Sequence, residues 1–305
     1  MYDIAVIGAG PAGLTAALYA LRADKSVIVL EKAAFGGQIT FSPKLENYPG
    51  TGTLSGNEFA EKLVEQVLDQ GADIEPENVL SVLKNEKIFV VKTEDSEYEA
   101  KSVIVATGAR HRMLGLENEE NLVGNGISFC AVCDGAFYKD KCVAVIGGGN
   151  SALQEALLLS TLCQKVYVVQ NLSYLTGEER LAKELESKDN VEIILSNVVS
   201  TFNGEDELQS ICIKNTESGE EKVLSLDGVF IAIGLIPQNE AFAEFIDLDS
   251  YGYADSGEDC TTRTEGIFVA GDCRKKKIRQ VATAVGDGAV AALAACNYID
   301  ENFKN

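Results

Sequence analysis

One histidine, His111, stands in the whole chain, and there is no second Cys-x-x-Cys beside the one at Cys130 and Cys133. A structural zinc site takes four ligands, commonly two such pairs or a pair with added histidines. A zinc site is therefore not expected, nor any other metal. Positive charge is scarce: 26 Lys and Arg stand against 47 Asp and Glu, for a net charge of −21. That balance works against nucleic acid and anionic membrane as partners. The local exception is Arg274-Lys275-Lys276-Lys277-Ile278-Arg279, which reads either as a solvated loop or as a docking patch. No uninterrupted apolar run reaches the roughly 18–20 residues that span a bilayer. The chain enters a strand at Tyr2 with no basic leader, so the expected location is the cytoplasm. Eight irregularly spaced cysteines in 305 residues are too sparse for a secreted disulfide scaffold. Most of these thiols should be reduced and buried.

What is present is a duplicated pattern. Gly8-Ala9-Gly10-Pro11-Ala12-Gly13 follows an apolar run and opens a predicted helix over 14–21, and a second apolar run over 26–30 ends at Glu31. Gly147-Gly148-Gly149-Asn150-Ser151-Ala152 repeats the plan between predicted strands at 143–146 and 166–169, with Gln170 in the place of Glu31. In a βαβ unit these glycines permit a tight turn and a close backbone approach to a pyrophosphate at a helix N-terminus, and the acidic residue accepts from a ribose hydroxyl. The first unit is thus expected to bind a dinucleotide. Further apolar runs, 103–108 and 228–234, are counterparts in the two halves. A run over 266–270 ends at Gly271-Asp272, and a long helix is predicted over 280–298. The predicted fold is α/β, with two Rossmann-like three-layer (ββα-type) nucleotide-binding domains, the second inserted in the first. The expected domains are 1–113 with 241–305, and 114–240.

Cys130-Ala131-Val132-Cys133-Asp134 lies shortly before the second fingerprint. Cysteines at this spacing can close a small disulfide, and a neighbouring thiol or a helix N-terminus can activate one of them. Asp134 can take or give the proton that thiolate chemistry requires. A redox dithiol is the expected role. The other six cysteines read as small buried hydrophobes, with Cys273 beside Asp272 the one to watch. His111, between Arg110 and Arg112, reads as part of a surface linker.

These residues are specific enough to carry a resemblance. The chain resembles the low-molecular-weight thioredoxin reductases over essentially its whole length, at 8–13, Gly36-Gly37-Gln38, Glu46-Asn47-Tyr48-Pro49-Gly50, Ala106-Thr107-Gly108, 130–135, Gly271-Asp272 and Arg279-Gln280. The resemblance implies FAD as cofactor, thioredoxin as acceptor and a homodimer. By it Gly8, Gly10, Pro11, Ala12, Gly13 and Glu31 would hold the ADP half of FAD. Gly37, Gln38, Asn47, Thr107 and Gly108 would line the cofactor. Gly271 and Asp272 would meet the ribityl chain, and Arg279 and Gln280 the isoalloxazine. Cys130 and Cys133 would pass electrons to thioredoxin with Asp134 as acid/base, and the inserted domain would swing between two positions.

The sequence departs from that family at one place. NADPH-dependent members carry a cluster of arginines after the second βαβ unit. Here the run Gln170-Asn171-Leu172-Ser173-Tyr174-Leu175-Thr176 has no positive charge. A 2′-phosphate calls for charge-assisted bonds from arginine, and neutral Gln170 does not supply the acidic residue that suits NADH. A vestigial nucleotide site is the preferred reading; NADH, or NADPH held by other residues, are the alternatives. The chain then looks like the ferredoxin-dependent flavin thioredoxin reductases, with reduced ferredoxin as donor and the basic run 274–279 as its docking site. A ferredoxin–NADP reductase of similar fold lacks the dithiol. Another disulfide acceptor, and a flavin–dithiol redox sensor, also stay open.

Overall fold

The computed structural model describes residues 1–42 and 44–304, arranged as two compact units, 1–110 with 236–304 and 111–235. The chain crosses between them earlier than the sequence placed it, at 110/111 and 235/236 rather than near 113 and 241. Packing explains both shifts. Arg112 N already donates to Gly234 O at 3.0 Å and His111 already stacks on Phe129, both within the second unit. Asn239, fully buried, already bonds the carbonyls of Gly252 and Cys273 in the first, at 2.9 Å each.

The first unit is built on a seven-stranded sheet. Asp73–Glu75, Val27–Leu30, Tyr2–Ile7, Glu97–Val105 and Ile267–Val269 run parallel. The hairpin Val79–Asn85 and Ile88–Thr93 extends the sheet antiparallel to Glu97–Val105. Chain order reverses between Tyr2–Ile7 and Glu97–Val105, which opens a crevice at their carboxyl ends, the usual ligand site of a doubly wound sheet. The four-residue run Val27–Leu30 is wholly buried, as a parallel strand covered on both faces must be.

Two helices cover one face of this sheet. Pro11–Arg22 starts with proline at its first turn, where no amide partner is lost. Val281–Asn302 packs against it through small residues: a Cβ on Gly288 would lie 2.2 Å from the Ala12 carbonyl oxygen. By length and composition this 22-residue helix could cross a membrane. Its face of Ala284, Ala291, Ala292, Ala295, Cys296 and Ile299 is instead part of the sheet–helix core.

The second unit has a five-stranded parallel sheet in the order Val191–Ile194, Lys165–Val169, Cys142–Ile146, Gly228–Ile231, Ile127–Ser128. A three-stranded antiparallel sheet, Asn197–Asn203, Ser210–Asn215 and Glu221–Ser225, packs beside it. Helices Asn150–Ser160 and Glu179–Glu186 cover the other face. Both units are α/β with parallel sheets, and the second interrupts the chain of the first.

Candidate active site

The two glycine loops are the same structure made twice. The amide of Gly8 donates to Leu30 O at 2.8 Å, and that of Gly147 to Val169 O at 2.9 Å. Ala106 N donates to Ile7 O at 2.8 Å, and Ala232 N to Ile146 O at 2.9 Å. Gly8 and Gly147 have φ of +108° and +132°, where an L side chain is strained. A Cβ would lie 2.3 Å from Ala106 O at Gly8 and 2.5 Å from Ala232 O at Gly147. Gly10 and Gly149 each cap the helix that follows, leaving its first amides free for an anion.

The acceptor position separates the two loops. Glu31 Oε2 accepts the amide of Ala9 at 2.8 Å and its Oε1 that of Ala33 at 2.9 Å, which fixes the carboxylate beside the first loop. Gln170, nearly buried, lies flat on the second: a Cβ on Gly148 would meet its side chain at 2.6 Å. The following segment folds back on the same loop. Thr176 N and Gly177 N donate to Gly148 O at 2.8 and 2.9 Å. Glu178 N donates to Asn150 Oδ1 at 2.7 Å, and Asn150 Nδ2 reaches Glu178 Oε1 at 3.4 Å. A carboxylate therefore stands at the start of the second helix, where an anionic ligand would compete with it.

Around the first loop the remaining expected residues fall in one unit. Gly37, at φ +63°, approaches Gly10. Pro11, Ala12 and Gly13 form the first turn of the helix. Gln38 is exposed. Asn47 Nδ2 donates to Gln280 Oε1 at 3.2 Å, and Gln280 caps the C-terminal helix. Thr107 Oγ1 donates to Asn239 Oδ1 at 3.1 Å, and Gly108 has φ +68°. Gly271, at φ +79°, donates its amide to Asp287 Oδ2 at 3.0 Å. Asp272 Oδ1 is buried with no hydrogen-bond partner among the described residues. Burial holds its carboxyl above the usual range, although Lys276 and Arg279 pull it down. Arg279 stacks over Tyr253 at 4.2 Å and its Nε reaches Asp272 O at 3.3 Å.

An orphaned acceptor beside a glycine loop is what a ribityl hydroxyl would satisfy. Glu31 fixed beside the first glycine loop and the unpartnered Asp272 together fit FAD. Asn239 and Asp287, which hold this region together, escaped the sequence reading. Asp287 is a lone charge in a stretch of small and apolar residues, which is the signal it gives; Asn239, between Gln238 and Glu240, gives none.

Most of the basic run is spent inside the unit, contrary to a purely solvated loop. Arg274 is buried and pairs with Asp287 at 2.9 Å, and Lys276 pairs with the same carboxylate at 2.8 Å. Lys275 meets Asp255 at 3.0 Å on the exposed side, and Lys277 is exposed.

In the second unit Cys130 and Cys133 form a disulfide. Cys130 caps the short helix Ala131–Asp134, and its Sγ accepts the amide of Cys133 at 3.2 Å. Ser128 Oγ donates to Asp134 Oδ2 at 2.6 Å and accepts the amide of Cys130 at 3.1 Å. Burial raises the Asp134 carboxyl above its ordinary range and the Ser128 bond partly offsets this. Asp134 thus keeps a proton at higher pH than a surface aspartate. Ser128 was not singled out from the sequence; its place two residues before the first cysteine was the available hint.

Cys163, Cys260, Cys273 and Cys296 are free and buried, while Cys142 and Cys212 are partly exposed. Burial pushes the Cys273 thiol up to about 11, which leaves it an inert packing group. His111 stands at the crossing between the two units and is half-buried rather than a free surface side chain. It stacks on Phe129 with ring centroids 4.5 Å apart, and burial pushes its pKa down to about 4.

The family model "Pyridine nucleotide-disulphide oxidoreductase" matches residues 2–288. A thioredoxin reductase of Treponema pallidum (strain Nichols) is 40% identical over 300 residues, 98% of this chain and 97% of that protein. The "34.2 kDa protein in rubredoxin operon" of Clostridium pasteurianum is 40% identical over 298 residues, 97% of each chain. The crystal structure of thioredoxin reductase from Streptococcus pyogenes MGAS5005 superposes with a TM-score of 0.94 at 39% identity, covering 99% of both chains.

Proposed function

The chain belongs to the pyridine nucleotide-disulphide oxidoreductase family, and we propose that it is an FAD-dependent thioredoxin-disulfide reductase whose electrons come from reduced ferredoxin. Gly8, Gly10, Gly13 and Glu31 would hold the adenosine and pyrophosphate part of FAD, and Asp272 its ribityl chain. When bound, FAD supplies the means to collect single electrons and release them as a pair. The reduced Cys130–Cys133 pair acts next. One thiolate attacks the thioredoxin disulfide, a mixed disulfide forms, and the second sulfur displaces reduced thioredoxin. Asp134 accepts and returns the proton at sulfur, oriented by Ser128. The free thiols suit a reducing compartment, the cytoplasm.

The observation that carries the donor is the cation-free run 170–176 followed by Glu178 against Asn150. Nothing in it would neutralise a 2′-phosphate. Energetics permit the alternative: a ferredoxin near roughly −400 mV feeding thioredoxin near about −270 mV is downhill by about 6 kcal/mol for two electrons. A nicotinamide donor is the second reading. It is favoured by the intact turn at Gly147 and the glycine cap at Gly149, and by relatives named thioredoxin reductase.

The test is anaerobic mixing of the flavin-loaded protein with NADPH, NADH and reduced ferredoxin in separate runs, followed by flavin absorbance and thioredoxin thiol release. Bleaching by ferredoxin alone, with catalytic thioredoxin reduction, is expected. Fast bleaching by micromolar NADPH would overturn the donor. Stoichiometric rather than catalytic thiol release would overturn the enzyme.

A further inference from the structure

Glu155 is a carboxyl of the second unit that the reaction above leaves without a task. It stands on the helix Asn150–Ser160 one turn before Leu159, so the two share a face. That face meets the dithiol segment. Gly135 sits so close that a Cβ there would lie 3.3 Å from Leu159 Cδ2 and 3.4 Å from Leu162 Cδ1. Asp134 immediately precedes Gly135. Glu155 Oε2 and Asp134 Oδ1 are both buried, and neither has a hydrogen-bond partner among the described residues. A buried carboxyl oxygen without a partner is costly as a carboxylate, so burial favours the protonated form of each group.

Charge points the same way. Burial, and after it the charge of Asp134, push the Glu155 carboxyl up to about 8. Other titratable groups lie on elements packed against this helix. Tyr138 follows the dithiol and itself feels Asp134. Lys165 and Tyr167 lie on the adjacent strand. On Glu179–Glu186, Glu179 and Lys183 pair with each other at 2.7 Å on the exposed side, with Arg180, Glu184 and Glu186 also exposed. The charge that acts on Glu155 is that of Asp134.

We propose that Glu155 is a positioning residue that holds, at rest, the proton that Asp134 delivers to the Cys130–Cys133 dithiol. The inference rests on the dithiol reading above. The Glu155 O–H bond breaks as an Asp134 O–H bond forms, by way of one intervening water that takes up one proton and gives up another. The Asp134 O–H then breaks as S–H forms on the thiolate. Glu155 is left a carboxylate and is reprotonated by solvent, which its partly exposed side chain meets. No electrons move in these transfers.

The experiment uses reduced, flavin-loaded protein and follows the rate of dithiol alkylation by iodoacetamide from pH 6 to 9.5. The wild type is expected to show a step near pH 8, where Glu155 ionises beside the dithiol. Glu155→Gln should lose that step and Glu155→Asp should keep one. In thioredoxin reduction at pH 7, Glu155→Gln should lower kcat by about tenfold with KM changed less than about twofold, as expected for a lost proton reserve. A wild-type profile without the step, or a step that survives Glu155→Gln, overturns the proposal. Loss of the step in Glu155→Gln in a protein that reduces no thioredoxin would sink the proposed function and leave this inference standing.

Discussion

Arg274 and Asp287 form an ion pair at 2.9 Å in which the Arg274 side chain is 8% exposed and that of Asp287 17%. The same carboxylate holds Lys276 and the amide of Gly271, so one side chain anchors the turn that carries Asp272. Removing one partner of such a pair leaves the others buried and uncompensated. Asp287→Ala should cost about 3–5 kcal/mol of stability, read as a lowered urea midpoint, and should also reduce flavin content. A loss below 1 kcal/mol, roughly what an exposed pair contributes, would show that the pair is solvated. Lys275→Glu with Lys277→Glu leaves this anchor intact. It is therefore the clean test of ferredoxin docking, by slower turnover with a flatter salt dependence.

Gly8 combines a φ of +108° with a backbone carbonyl where a side chain would go. Gly8→Ala should lose stability well beyond the about 1–2 kcal/mol of a left-handed conformation alone, and the purified protein should lose its yellow colour. Gly71→Ala has φ +90° but nothing within 4 Å. It should show only the conformational part and retain full flavin. Equal losses in the two variants would refute the close approach of the Gly8 loop to Ala106.

His111 gives a direct pH prediction because no other histidine obscures it. Its folded pKa, about 4, is below the ordinary 6.5, and burial is the cause. Such a group draws stability away as pH falls through 6.5 toward 4, since the unfolded state takes the proton first. The imidazole C2 proton in NMR should keep its neutral shift down to pH 5. A titration midpoint near 6.5 would mean that the stack on Phe129 is open to water. His111→Phe should weaken the loss of stability between pH 6.5 and 5.

The sequence by itself determined the duplicated strand–glycine–helix units, the α/β class and the dithiol. These are local: glycine spacing, period and a Cys-x-x-Cys need no distant partner to be recognised. The crossing points had to wait for the tertiary structure, because whether His111 or Asn239 belongs to one unit or the other depends on which distant residues receive them. The basic run shows the same limit. Six residues read as one charged stretch, yet Asp287 from the C-terminal helix takes up Arg274 and Lys276 and leaves Lys275 and Lys277 exposed. His111 became a half-buried ring stacked on Phe129, and Glu155 came to feel the charge of Asp134, only when the sheet and its helix brought together segments that carry no mark of each other in the chain. Burial and pairing set protonation, and both are properties of neighbours that folding alone supplies.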